Sequence, residues 1–259
     1  MDSEFGKIPE FLKREQNPVF EFNKCIIDNT APYAVAYKLN TAFYEAYGVS
    51  GWVNMRMTVD YLRANYPDMF LIADAKRGDI GNTSKMYAKA FFDTIGFDAV
   101  TISPYMGEDS IKPFIGYKDK WAIILALTSN MGAHTLQFTE DKYGGGLMLF
   151  EKVIKSSKNW GNTDNIMYVA GATQVNLLQD VRRLAPDHFL LIPGVGAQGG
   201  SLKEVASAAM NNQCGLLLNS SRGIIFADSS ENFAEIAAQK AMELQQEMAY
   251  LLSEKDLIQ

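Results

Sequence analysis

Short apolar runs alternate along the whole chain with longer segments of helical period. Seven runs read as strands: 33–38 (YAVAYK), 69–74 (MFLIAD), 98–103 (DAVTIS), 121–127 (WAIILAL), 166–171 (IMYVAG), 188–193 (HFLLIP) and 215–219 (GLLLN). Most are continuously apolar rather than alternating. That pattern marks strands buried on both faces, as in a parallel sheet under helices. Helical period is found over 20–30, 52–66, 82–94, 147–160, 174–184, 201–210 and 231–252. Asn82-Thr83-Ser84 reads as a helix cap and Ser201-Leu202-Lys203-Glu204 as a capping box. The stretch 131–146, with Gly132 and Gly144-Gly145-Gly146, reads as a long mobile loop.

Strand–helix alternation from end to end means α/β. Periodicity leaves both a closed (β/α)₈ barrel and an open doubly wound sheet in play. The 259 residues suit one barrel domain, since such barrels take roughly 250. A closed barrel wants eight strands, and the chain opens with a loop and a helix. The expectation is therefore a single barrel domain, 1–259, lacking its first strand and truncated at its N-terminus.

Charge and composition narrow the partners. The net charge of −6 argues against nucleic acid or an anionic membrane surface as the main partner. Two cysteines, Cys25 and Cys214, form no CxxC, and His134 and His188 are far apart, so neither a disulfide framework nor a His-rich metal site is expected. No apolar run reaches the roughly 18 residues of a membrane span. The charged N-terminal stretch is no signal peptide, and the cytoplasm is the expected compartment.

Four constellations carry chemistry. Asp74-Ala75-Lys76-Arg77-Gly78-Asp79 follows an apolar strand, at the end where barrel enzymes keep their catalysts. Asp74 and Lys76, two apart on an extended backbone, would project to one side. The simpler reading is a solvated charged turn, but the preceding apolar run places Asp74 at the rim of the core. Lys38 ends the 33–38 strand, with Asn40 just beyond. If that strand neighbours 69–74, then Lys38, Asp74, Lys76 and Asp79 form an alternating array of charges, tolerable without a metal because each ion is paired. Pro193-Gly194-Val195-Gly196-Ala197-Gln198-Gly199-Gly200 contains a GxGxxG spacing, so an NADP site must be weighed. The acidic residue that a dinucleotide site wants about 20 positions later is absent; Asn219-Ser220-Ser221-Arg222 stands there. In a barrel this loop and Arg222 suit a phosphate monoester better. Thr128-Ser129-Asn130 ends another strand and offers hydroxyls and an amide to a heterocycle, or simply turns and caps.

Together these segments resemble orotidine 5′-monophosphate decarboxylases of the bacterial branch that carries DAKRGDIGNT. The likeness runs from about Asp2 to the C-terminal helix. It includes AYKLNTAFYEAYG (36–48), DAKRGDIGNTS (74–84), SPYMGEDS (103–110), LTSN (127–130), PGVGAQGG (193–200) and NSSRGI (219–224). The resemblance implies metal-free, cofactor-free decarboxylation of orotidine 5′-monophosphate to UMP, the last step of pyrimidine nucleotide synthesis. It makes Lys38, Asp74, Lys76 and Asp79 the catalytic network and Lys76 the proton donor to C6. Asp74 would lie against the substrate carboxylate. Asp2, Lys38 and Asn40 would hold ribose, Ser129 the pyrimidine, and Gln198 and Arg222 the 5′-phosphate, with Pro193 and Gly199 also binding substrate. Asp79 and Thr83 would be supplied across a homodimer interface. One departure is that Met1-Asp2-Ser3 stands where the family's first strand ends.

Three other readings remain open: a Mg²⁺-dependent sugar-phosphate enzyme of the same architecture, an NADP oxidoreductase, and an inactive partial barrel that only binds nucleotides.

Overall fold

The computed structural model describes residues 1–142, 145–171, 175–194 and 201–258. Its elements alternate as the apolar pattern requires. After α1 (Pro18–Thr30) come β1 (Ala36–Asn40), α2 (Ala42–Glu45), α3 (Gly48–Asn65), β2 (Phe70–Arg77) and α4 (Gly81–Lys89). A π-helical turn, Ala90–Ile95, continues α4. Then follow β3 (Ala99–Ile102), α5 (Glu108–Ile115), β4 (Trp121–Leu127), α6 (Ala133–Leu136), α7 (Leu149–Ser157) and β5 (Ile166–Ala170). The chain continues through α8 (Val175–Leu184), β6 (Leu190–Pro193), α9 (Leu202–Ala209), β7 (Leu216–Asn219), α10 (Arg222–Ile225) and α11 (Phe233–Ser253).

The strands hydrogen-bond in chain order, β1-β2-β3-β4-β5-β6-β7. β1 runs parallel to β2, β4 to β5, β5 to β6 and β6 to β7. Every residue of β3 and of β5 is buried, so neither alternates. That is how a parallel sheet under helices looks.

The chain divides into two compact units. The first comprises Met1–Ala75, Ala90–Ala99 and Ser220–Tyr250. Its core forms because α1 presents Val19, Phe22, Ile26 and Ile27 on one buried face, at spacings that recur on one side of a helix. Phe22 stacks on Phe226 at 5.7 Å and Phe233 at 5.3 Å between ring centroids. Beside it lies a buried polar knot. Ser3 Oγ donates to Asn23 Oδ1 (2.6 Å), and the Asn23 amide donates to Tyr44 Oη (2.9 Å) and Thr58 Oγ1 (3.0 Å). Buried polar groups are stable when satisfied in this way.

The second unit comprises Lys76–Lys89, Val100–Asn219 and Leu251–Gln259. Ile123, Ile124, Ile166, Tyr168 and Leu190 are fully buried in its core. The Arg182 guanidinium closes one end, donating to the carbonyls of Ala185, Pro186, His188, Ala209 and Gly215. A guanidinium's five donors match such a crowd of acceptors.

Several expectations change. The first strand is shifted toward its C-terminal end, because Ala31–Tyr33 forms a 3-10 turn before it. Asn82, Thr83 and Ser84 are not caps but lie inside the first turn of α4, which opens at Gly81. The loop expected over 131–146 contains a helical turn, α6. Helix α5 was not anticipated from periodicity, since Pro113 sits inside it. The capping box at Ser201 is present, with Glu204 N donating to Ser201 Oγ and Ser201 N to Glu204 Oε2.

Candidate active site

The parallel register of β1 and β2 sets Lys38 opposite Ile72 and Asn40 opposite Asp74. Lys38 Nζ reaches Asp74 Oδ2 at 2.7 Å, with side-chain exposures of only 8% and 11%. Asp74 lies at the rim of the core, where the apolar run before it had put it. Its backbone carbonyl accepts from Thr41 N at 3.3 Å. Asn40 Oδ1 accepts from Ala42 N at 3.3 Å and so caps the turn that follows β1.

The extreme N-terminus also packs here. The Met1 amine donates to the Lys38 carbonyl, and Asn40 N donates to the Met1 carbonyl. Residue 1 thus pairs with β1 as one residue of a parallel neighbour would. Asp2 follows directly, and its Oδ1 is buried without a hydrogen-bond partner among the described residues. An unpaired buried carboxylate oxygen is costly, so this atom calls for a donor such as a ligand hydroxyl.

Lys76 does not continue the extended geometry expected of it. Its φ is +47°, and its N–H donates to Thr101 Oγ1 at 2.9 Å. Asp74 and Lys76 therefore do not share a face by simple alternation. Asp79 Oδ1 accepts from Ile80 N at 2.7 Å, and Thr83 is exposed on α4.

β4 carries a register shift between Leu125 and Leu127, immediately before Thr128-Ser129-Asn130. Thr128 is clamped by Gln137, whose Oε1 accepts from Thr128 N and whose Nε2 donates to Thr128 Oγ1, each at 2.8 Å. Gly171 seats this loop: a Cβ there would lie 2.8 Å from Ser129 N, so only glycine fits. The backbone of Ser129 thereby packs directly against Gly171. Pro193 ends β6 opposite Asn219, and Gly194 N donates to the Asn219 carbonyl at 3.0 Å. Gln198 and Gly199 lie outside the described residues. Arg222 is exposed at the start of α10, beside Ser221, whose Oγ is buried without a partner among the described residues.

Of the expected catalytic residues, Lys38 and Asp74 are in direct contact; Asn40 is Asp74's backbone partner across the sheet. The residues that sequence reasoning did not single out are Thr101, Gln137 and Met1. Each acts through a hydrogen bond to a site residue, which no local motif announces. Among the described residues, no group of three or more His, Cys, Asp or Glu side chains could hold a metal ion.

The model of the orotidine 5′-phosphate decarboxylase / HUMPS family matches residues 19–236. The chain is 59% identical over 258 residues to the orotidine 5′-phosphate decarboxylase of Parabacteroides distasonis, covering 100% of this chain and 91% of that one. It is similar in structure to Leishmania donovani OMP decarboxylase, with a TM-score of 0.79 and 35% identity over 90% of this chain and 88% of that chain. It also matches Leishmania donovani UMP synthase, with a TM-score of 0.81 and 38% identity over 90% of this chain, and spans 50% of that longer protein. With seven parallel strands among the described residues, the fold is that of the (β/α) barrel.

Proposed function

The chain belongs to the orotidine 5′-phosphate decarboxylase / HUMPS family, and on that premise we propose how it converts orotidine 5′-monophosphate into UMP: charged side chains stabilise a carbanion at C6, and Lys76 protonates it. Loss of CO₂ from C6 breaks a carbon–carbon bond and leaves the electron pair on carbon, with no conjugated system to accept it. A fixed ammonium beside that carbon stabilises the developing charge and then transfers its proton. Each tenfold in rate needs about 1.4 kcal/mol of stabilisation felt only in the transition state.

The observation that carries this reading is the Lys38–Asp74 ion pair, two residues before Lys76. Asp74 is nearly buried and paired with Lys38 at 2.7 Å, and a buried ion is tolerated when paired in this way. It lies against the substrate carboxylate, while Lys38, Asn40 and the unpartnered Asp2 oxygen take the ribose hydroxyls. Ser129 takes the pyrimidine. Gln198 and Arg222 take the phosphate, with Pro193 and Gly199 also lining the substrate, and the phosphate's binding energy orders the site around a remote reacting carbon. The reading treats the chain as one catalytic domain.

The reading includes a homodimer in which Asp79 and Thr83 reach the partner's substrate. Supporting it, Ile80 and Met86 flank them with exposures of 49% and 60%, and Tyr105 is 80% exposed. Large apolar side chains left this exposed are what a partner surface would cover. The chain acts in the cytoplasm, a placement supported by its two free cysteines. Catalysis uses no metal or cofactor, so turnover is unchanged in EDTA.

The test is turnover of orotidine 5′-monophosphate in deuterium oxide. UMP carrying deuterium at C6 is the expected product. Recovery of unchanged substrate would refute the proposed activity, and UMP with only protium at C6 would refute proton delivery by an exchangeable amine.

A further inference from the structure

We propose that Thr101 is a positioning residue for the proton donor: its hydroxyl holds a bulge in β2 that aims Lys76. The proposal rests on the reading of Lys76 as that donor, and it is carried by backbone geometry. On β3, Asp98 N donates to the Leu71 carbonyl and Ser103 N to the Arg77 carbonyl (2.8 and 2.7 Å). Six residue steps of β2, from Leu71 to Arg77, therefore face five of β3, from Asp98 to Ser103. One residue of β2 is extra. On the other side, β2 keeps unbroken register with β1 from Phe70 to Asp74. The left-handed residue of β2, Lys76, lies beyond that regular stretch.

Lys76 carries the distortion. Its φ of +47° is the only left-handed backbone of a non-glycine residue within a strand among the described residues; Asp119, Cys214 and Asp256, also left-handed, lie outside the strands. A long side chain gains nothing local from that conformation, so the surroundings must impose it. The Lys76 N–H donates to the Thr101 hydroxyl at 2.9 Å, a side-chain acceptor in the middle of a sheet. Thr101 is 1% exposed, so water has little access to replace it. One residue later Arg77 rejoins β3 through Ser103 N. Bulges of this kind re-aim a side chain next to an active site. Here the re-aimed side chain is exposed Lys76, two residues from nearly buried Asp74.

The test compares Thr101→Val with Thr101→Ser. Valine keeps the shape and removes the acceptor; serine keeps the acceptor and removes a methyl group. Misplacing a catalytic group by about 1 Å costs on the order of 100-fold. In Thr101→Val we expect kcat to fall roughly 10- to 100-fold while the KM for orotidine 5′-monophosphate and the affinity for UMP stay within about threefold. Thr101→Ser should retain kcat within about threefold, an acceptor-dependent rescue that a packing role would not give. Crystal structures of both variants read the cause directly: φ of residue 76 leaves the left-handed region in Thr101→Val and keeps it in Thr101→Ser. Should Thr101→Val fail to fold, the serine variant and Thr101→Ala give the same comparison. Wild-type kcat in Thr101→Val or Thr101→Ala, equal losses with and without the acceptor, or an unchanged φ in the acceptor-free variant would each overturn the proposal. Absence of turnover by the wild-type chain would instead refute the assigned reaction, leaving the φ comparison to decide the role of Thr101 in the bulge.

Discussion

Lys38 and Asp74 are not opposite one another across β1 and β2; the lysine leans two residues forward along the sheet to place its amine 2.7 Å from the carboxylate. The backbone register pairs Asp74 with Asn40 and leaves the ion pair diagonal. Both side chains are largely out of water, at 8% and 11% exposure. Removing Lys38 takes a cation away from a carboxylate that is largely out of water.

Lys38→Ala is therefore expected to abolish measurable turnover and to destabilise the fold by about 3 kcal/mol, the scale for breaking a buried pair. Urea unfolding of the variant against wild type checks the second part. A change under about 0.5 kcal/mol, the range of an exposed pair, would show that the pair is solvated in solution.

Arg222→Ala tests the phosphate end. Arg222 is exposed and lies beside the unpartnered Ser221 hydroxyl. A guanidinium–phosphate contact is charge-assisted and geometrically specific. Loss of Arg222 is expected to weaken UMP binding roughly 10- to 100-fold, from about 1.5–3 kcal/mol for a hydrogen bond to a charged group. Uridine, which has no phosphate, should be nearly unaffected. Equal losses for both ligands in calorimetry would remove Arg222 from the phosphate site.

His188 gives the stability a specific acid dependence. Both ring nitrogens are buried without partners among the described residues, and the ring lies 5.2 Å from that of Tyr168. Burial first, then the charges of Lys158 and Arg182 against a weaker pull from Asp187, lowers its pKa from 6.5 to about 4. The unfolded histidine takes a proton below pH 6.5, whereas the folded one stays neutral down to about 4. The stabilisation is therefore complete above pH 6.5 and is lost as pH falls toward 4. Between pH 7 and 5, wild type should lose roughly 2 kcal/mol more than His188→Phe, which keeps an aromatic ring and cannot titrate. Parallel pH profiles for the two proteins would contradict this.

Much of the fold is legible in the sequence because its strands are unbroken apolar runs, and β4 spans the residues expected of it, Trp121–Leu127. Helix α5 is hidden by Pro113 and by its short span. The residues of the charged network are visible as types at the ends of strands. Their geometry is not, because it depends on partners far away in the chain. Nothing in a lysine codon signals a left-handed backbone; the register of β3 and the Thr101 hydroxyl impose it. Gly171 looks like the end of a strand, and only the approach of Ser129 N shows why no side chain fits there. Met1 pairing with β1 is equally invisible, since one residue has no periodicity.

The central claim is that the Lys76 amine delivers the proton that completes decarboxylation. Turnover of orotidine 5′-monophosphate by Lys76→Ala, followed by its ultraviolet absorbance alongside calorimetric titration with UMP, tests it most directly. No detectable turnover is expected, with UMP binding still measurable. Turnover by the alanine variant within about tenfold of wild type, equivalent to a loss of only about 1.4 kcal/mol, would contradict it.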